Sequence, residues 1–306
     1  MSFLYRVIEV IMGNHKSDEK KDPKFAVVLS DTDNDLASVQ YALRIVGVCN
    51  RKGEWRKRIR GIRVIHTGDW LNKWNPSIEM LDFFQKLTRT APAGCDLVIL
   101  NGNHELEILR RAQLGEFPHL GQGRLRFLRT RDLLHVFGKS LFLHGYPTYH
   151  LLKFLQQIQR EQDGLNRFNE RVRKAFYEGE HALFKQEEGK ILMGNIKRAR
   201  QYYREACHDG ETRGVKVSRL LKSMGIHTVV HGHSPNILVQ KDNEFRLETP
   251  GIRLVNNDNQ PRKSLLGAAI VDPEGGVVFV NTREMYWQGG EQTFKKRIRT
   301  ILGLHR

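Results

Sequence analysis

Five short apolar runs in this chain end the same way, on carboxylate, amide or imidazole side chains. "FAVVLSDTDND" (25–35) delivers Asp31, Asp33 and Asp35, and "IRVIHTGDWLNK" (62–73) delivers Asp69. "DLVILNGNHE" (96–105) delivers Asn103 and His104, "SLFLHGY" (140–146) delivers His144, and "TVVHGHSP" (228–235) delivers His231 and His233. Apolar runs this short and this rich in Val, Ile and Leu read as buried strands. Helix patterns lie between them, "LASVQYALRIVGVC" (36–49) and "SIEMLDFFQKLTRTA" (77–91). Strands alternating with helices predict a layered α/β fold. Such folds place their sites beyond the carboxyl ends of the strands, where these polar side chains fall.

The first run crowds three carboxylates into five positions of a chain whose formal net charge is +16. Like charges that close raise one another's proton affinity unless a cation lies among them. The stretch therefore predicts a bound cation, with Asp35 left to cap the helix that begins at Leu36. Taken singly, each signal is ordinary, since "GD" and "GN" are common turn chemistry. The weight rests on the ordered set.

With 306 residues, 40% of them hydrophobic and 27% charged, the chain can bury a large core. The reading divides it into a flexible lead-in at 1–24, a catalytic domain at 25–290 and a basic tail at 291–306. Within the domain, about 151–212 reads as a helical insertion, a lid or cap built from "LLKFLQQIQREQ" and "LNRFNERVRKAFYEGEHALF". "LLGAAIVDPEGGVVFVN" (265–281) reads as a hairpin turning at Asp272 to Gly276. No apolar run approaches the ~18–20 residues that span a bilayer. The opening "MSFLYRVIEVIM" is broken by Arg6 and Glu9 and lacks a cleavage site, so it does not read as a secretory signal. Three widely spaced cysteines, Cys49, Cys95 and Cys207, give neither a disulfide framework nor a metal knuckle. A reducing, cytoplasmic setting is expected. Fifty Lys and Arg against 34 Asp and Glu point to an anionic substrate or partner.

D-x-D, GD, GNHE, HG and GH, in that order, resemble the calcineurin-like metallophosphoesterase superfamily, from about Phe25 to Val280. "LHGY", "HGHSP" and "RLVNNDN" (253–259) look most like the phosphoprotein phosphatases and their bacterial relatives. The resemblance implies a four-layered α/β/β/α sandwich and two divalent ions, Mn²⁺ first, with Fe or Zn²⁺ as alternatives. It assigns Asp31, Asp33 and Asp69 to the first ion, with Asp69 bridging, and Asn103, His144 and His233 to the second. A metal-bound hydroxide would then attack a phosphomonoester. By the same resemblance His104 protonates the leaving alcohol and Arg213, in "ETRGVK", grips the phosphate. Asn72 stands where the family has an Asp orienting that histidine. Lys73 and Asn101 stand where protein phosphatases carry further phosphate-binding arginines. Asp33 replaces the family's usual His, which makes the first site harder and more anionic.

The expected activity is that of a serine/threonine, or tyrosine, protein phosphatase. The alternatives are a dinucleoside polyphosphate hydrolase of the same superfamily and a non-catalytic RNA-binding protein on a phosphatase fold. A phosphorylated protein or other phosphate ester is the expected partner, with nucleic acid less favoured. A haloacid dehalogenase phosphatase also begins with a strand and D-x-D, but Asp35 stands where it needs Thr or Val. An EF-hand fails because Leu36 takes its glycine position and Ala42 its bidentate glutamate.

Overall fold

The computed structural model describes residues 23–159, 169–170, 196–233, 252–256 and 267–281. Most of the lead-in, the middle of the helical insertion and the basic tail lie outside the described residues.

Nine strands form two sheets among the described residues. The first contains β1 (Phe25–Leu29), β2 (Ile62–His66), β3 (Asp96–Ile99), β8 (Gly267–Val271) and β9 (Val277–Asn281), in the order β3-β2-β1-β8-β9. The second contains β4 (Leu134–Phe137), β5 (Ser140–Leu143), β6 (Thr228–His231) and β7 (Arg253–Asn256), in chain order. The helices are α1 (Leu36–Ile45), α2 (Ile78–Arg89), α3 (Asn103–Gln113), α4 (Gly121–Arg129), α5 (Tyr149–Gln159), α6 (Ile196–Arg204) and α7 (Arg213–Ser223).

Period-two side-chain alternation makes each strand serve two cores at once. Phe25, Val27 and Leu29 face outward onto Val39 and Leu43 of α1 and Phe84 and Leu87 of α2. Ala26 and Val28, between them in sequence, face inward with Phe142 of β5 and Val230 of β6. Leu141, Leu143 and Val229 point the other way, onto Leu152 and Leu155 of α5, Tyr202 and Tyr203 of α6, and Val217 and Leu221 of α7. Three cores between helices, sheet, sheet and helices make the four-layered α/β/β/α sandwich. The two ends of the expected insertion, α5 and α6, thus belong to the outer helical layer on the second sheet. Their apolar faces are consumed there, so the lid reading does not apply to these two helices.

Asp35 caps α1 by accepting from the Ser38 amide at 3.0 Å, and the 272–276 hairpin closes through Asp272 N to Gly276 O at 3.0 Å. β1, β2 and β3 run parallel, as do β5, β6 and β7. Parallel pairing brings the carboxyl ends of each set to one edge. Backbone bonds lace the loops there: Asp31 N to Gly68 O at 3.1 Å, Asp33 N to Asp69 O at 3.1 Å, and Gly232 N to His144 O at 2.9 Å.

Buried His66 and half-buried His135 make this fold acid-sensitive. Burial, and then the charge on His144, push His66 down to about 3. Burial, and then the Arg63 guanidinium 3.0 Å from its Nε2, push His135 down to about 4. The unfolded chain binds both protons near the ordinary 6.5, so the unfolded state gains protons first as pH falls. Stability is therefore full above that value and declines below it, each ring costing up to ~1.4 kcal/mol per pH unit. Denaturant titrations in chelator from pH 7.5 to about 4.5 are expected to show this slope, and His135→Gln to reduce it. Unchanged stability across that window would contradict it.

Candidate metal centre

The five strand ends meet at one mouth. The Asp31 carboxylate, buried beyond β1, accepts from Ser30 Oγ and from the His233 amide at 3.0 Å to each oxygen. Asp69 lies beyond β2. Its Oδ2 faces three imidazoles: His144 Nε2 at 3.3 Å, His104 Nε2 at 3.5 Å and His233 Nδ1 at 3.9 Å. Its Oδ1 accepts from the His104 amide at 2.9 Å, at the N-terminus of α3, where free amides favour an anion. His144 Nε2 also lies 3.0 Å from Asn103 Oδ1 and 2.9 Å from His233 Nδ1. Asp33 Oδ1 lies 3.6 Å from His104 Nδ1, buried and without a hydrogen-bond partner. Seven expected site residues thus form one connected cluster.

The backbone bends hard to achieve this. Asp31, Asp33, Asp69 and His233 all hold positive φ, at 49°, 44°, 53° and 66°. Side chains other than glycine rarely sit there, and such strain concentrates at functional sites. The neighbouring glycines give the room. A Cβ on Gly68, whose φ is 107°, would stand 2.7 Å from Gly102 N and 2.8 Å from His144 Nδ1. One on Gly232 would collide with Ser30 Oγ and the Asp31 carboxylate. The "GD" and "GH" pairs are therefore close-approach positions.

Protonation follows from the packing. Burial opposes a charge on His144, but Asp69 beside it, with Asp31 and Glu105 behind, outweighs burial and lifts it to about 10. Burial likewise opposes ionised Asp69, yet His144 and His104 hold it well below the usual carboxylate range. Burial, and then His144, push His233 down to about 3. His144 Nδ1 is 3.2 Å from the Thr67 carbonyl, so its Nε2 proton is the one facing the cluster. Asp69 Oδ2, Asn103 Oδ1 and His233 Nδ1 converge on that single proton. Acceptors in excess of protons, with the orphaned Asp33 oxygen nearby, are a donor set that suits a cation. Asp69, His144 and His233 can each bring one ligand atom within 4.8 Å of the others. Carboxylate oxygen mixed with imidazole suits Mn²⁺, Fe or Zn²⁺ better than Ca²⁺.

Four other expected residues are placed differently. Asn72 Oδ1 accepts from the Trp74 amide at 2.9 Å and the Asn75 amide at 3.2 Å, capping its own turn. His104 Nδ1 is oriented instead by the Leu71 carbonyl at 3.0 Å. Asn101 is 2% exposed and donates to Leu128 O at 2.9 Å, which ties its amide to the α4 carbonyl. Arg213 is bonded through one guanidinium nitrogen to Glu205 at 2.5 Å and stacks on Tyr202 at 4.7 Å, which holds it in the outer helical layer. Lys73 is half-buried, with its ammonium 5.9 Å from the Trp74 ring.

One residue was passed over. Glu105 is fully buried and accepts from Asp69 N at 2.9 Å, Leu71 N at 2.8 Å and Gly102 N at 2.8 Å, tying the β2 and β3 loops together. Burial, and then the Asp69 charge, push it up to about 8. Its spacing after Gly102 is that of a capping box, a signal present in "GNHE". Glu105→Gln leaves one acceptor oxygen for three amides. The variant is expected to bind Mn²⁺ about 10–100-fold more weakly by calorimetric titration. Unchanged affinity would show that the loops hold without the carboxylate.

Residues 26–236 match the family described as calcineurin-like phosphoesterase. The chain belongs to that family. It is a hydrolase of phosphate esters, and the family depends on two metal ions. This phosphoesterase is similar in fold to a cold-active protein-tyrosine phosphatase of a psychrophilic Shewanella species. The TM-score is 0.54 at 17% identity, over 88% of this chain and 84% of that one. A protein serine/threonine phosphatase from Saccharomyces cerevisiae gives a TM-score of 0.49 at 12% identity, over 91% and 88%. A metallophosphoesterase from Sphaerobacter thermophilus gives 0.42 at 14%, over 90% and 98%. At 17% identity the likeness to the Shewanella phosphatase is one of fold. No curated protein matches the phosphoesterase in sequence. Among the described residues, no helix is long and apolar enough to cross a membrane.

Proposed function

We propose that this phosphoesterase hydrolyses phosphomonoesters on protein side chains, at serine, threonine or tyrosine. The observation that carries the reading is the connected cluster of Asp31, Asp33, Asp69, Asn103, His144 and His233 with His104 against it. Asp31, Asp33 and Asp69 would hold one divalent ion and Asn103, His144 and His233 the second, with Asp69 shared. When bound, the pair supplies the positive charge that polarises the phosphoryl group and activates water.

The chain's own groups do the rest. His104 donates through Nδ1 to Leu71 O, which leaves Nε2 facing the cluster to pass a proton to the leaving oxygen. The backbone carbonyl, in place of the expected Asn72, fixes that ring. Lys73 offers the cation nearest in sequence to the cluster for a phosphate oxygen, as a point charge. The net charge of +16 draws anionic substrates toward the mouth.

Purified chain with Mn²⁺, tested against p-nitrophenyl phosphate, phosphopeptides and diadenosine tetraphosphate, decides the matter, with His104→Asn as control. Release from phosphopeptides supports the reading. Turnover confined to diadenosine tetraphosphate would transfer it to a dinucleoside polyphosphate hydrolase. Metal-independent RNA binding with no release from any of these would favour the non-catalytic alternative.

A further inference from the structure

Only two large apolar side chains are exposed among the described residues, Trp74 and Leu114, each 68% exposed. Trp74 lies against Arg111, and Leu114 is close to Arg111 in sequence. Its guanidinium stacks on the Trp74 ring at 5.0 Å, and Leu114 follows three residues later at the end of α3. Residues three apart share a helix face, which places Leu114 on the Arg111 side of α3.

Trp74 is held firmly for so exposed a ring. Asn34, from the "DTDND" stretch, accepts from Asn72 N at 3.0 Å and Ser77 N at 3.1 Å and donates to Asn75 O at 2.6 Å. Asn72 caps the Trp74 amide from within the loop. Beneath the ring, Arg111 is bonded to Lys73 O at 2.8 Å and to Glu116 at 2.8 and 2.5 Å, and it stacks on Phe117 at 4.6 Å. An indole costs least to display on a rigid mount, and a preorganised aromatic surface loses little entropy when something covers it. Among the described residues, the groups recorded over the ring are the Arg111 guanidinium at 5.0 Å and the Lys73 ammonium at 5.9 Å, and the side chain stays 68% exposed.

The position is measurable along α3. Arg111 comes eight residues after Asn103, a rise of about 12 Å along α3 from the residue that enters the cluster. An extended peptide covers that distance in about three to four residues. The span is too long for a ring attached directly to the phosphate. Base-edge recognition is also poorly served, because the Arg111 fork beneath the ring is already committed to Glu116 and Lys73 O. The Lys73 ammonium is 5.9 Å from the Trp74 ring and its charge is felt at His233, which suits a segment with phosphate at one end and a ring at the other.

We propose that Trp74, edged by Leu114, is a specificity-determining contact that takes an aromatic side chain three or four residues from the phosphorylated residue of a phosphoprotein substrate. This rests on the protein phosphatase reading above. The test compares two phosphopeptide series with the Mn²⁺-loaded chain, one carrying Phe stepped along positions one to five from the phosphoresidue and one carrying Ala throughout.

Wild type is expected to prefer Phe at the third or fourth position through KM. Trp74→Ala should reduce that preference roughly tenfold, as loss of one aromatic stack with its buried area implies. Trp74→Phe should keep part of it. Hydrolysis of the Ala series without any Phe preference would overturn this inference and leave the phosphatase reading intact. No hydrolysis of either series would overturn both. A Trp74→Ala effect seen only with diadenosine tetraphosphate would make the platform a nucleobase site, against the proposal.

Discussion

Asp69→Asn is expected to abolish turnover and to weaken Mn²⁺ binding by more than about 100-fold. Losing a partner of a ligand typically costs about 10–100-fold, and losing a ligand should exceed it. The substitution keeps the shape of the side chain and removes its charge from among His144, His104 and His233. It also removes the main counterion of His144, leaving Asp31 and Glu105 to oppose burial, so the imidazole holds its proton less firmly.

That second effect gives the prediction its signature. In the wild type, metal must displace the Nε2 proton that Asp69 helps to hold, since a ligating imidazole is neutral at the ligating nitrogen. With His144 raised to about 10, loading releases this proton and affinity climbs with pH, by up to about tenfold per unit. In Asp69→Asn the residual binding should lose that slope. Calorimetry in buffers of different ionisation enthalpy reads the released proton directly. A variant that still bound metal with wild-type affinity and proton release would remove Asp69 from the centre altogether.

What could be read from residues alone divides along a physical line. The strands were legible because burial on both faces demands unbroken apolar runs, and the ligand-type residues were legible because each sits at the end of one. α3 and α4 carry no clear helical pattern in sequence. The first begins inside "GNHE", where the same residues serve as ligands and as cap, and the second, "GRLRFLRTR", looks like a charge run because only Leu125 and Leu128 are buried. Asn72, Asn101 and Arg213 could not be placed because motif position fixes a backbone location and leaves the side chain free to find its best partner. For Asn72 that partner is its own turn, for Asn101 the α4 carbonyl of Leu128, and for Arg213 the carboxylate of Glu205. Trp74 has no local signature at all. Its exposure becomes visible only once Arg111, thirty-seven positions away in sequence, is seen beneath it.

His104→Asn is expected to lower kcat about 10²–10⁴-fold with metal stoichiometry unchanged, the loss ordinarily caused by removing a general acid. The geometry supports the separation of the two effects. His104 Nδ1 is bonded to a backbone carbonyl and its Nε2 approaches Asp69 Oδ2 only to 3.5 Å, whereas His144 and His233 face each other across 2.9 Å. Asparagine keeps the backbone amide that Asp69 Oδ1 accepts, so the centre should retain its shape. The decisive comparison is between leaving groups. p-Nitrophenolate departs without help, while a serine alkoxide needs a proton as the bond breaks. The variant should therefore lose far more activity on a phosphoserine peptide than on p-nitrophenyl phosphate. Equal losses on both would mean that His104 positions the centre or the phosphate, and the proton would have to come from elsewhere.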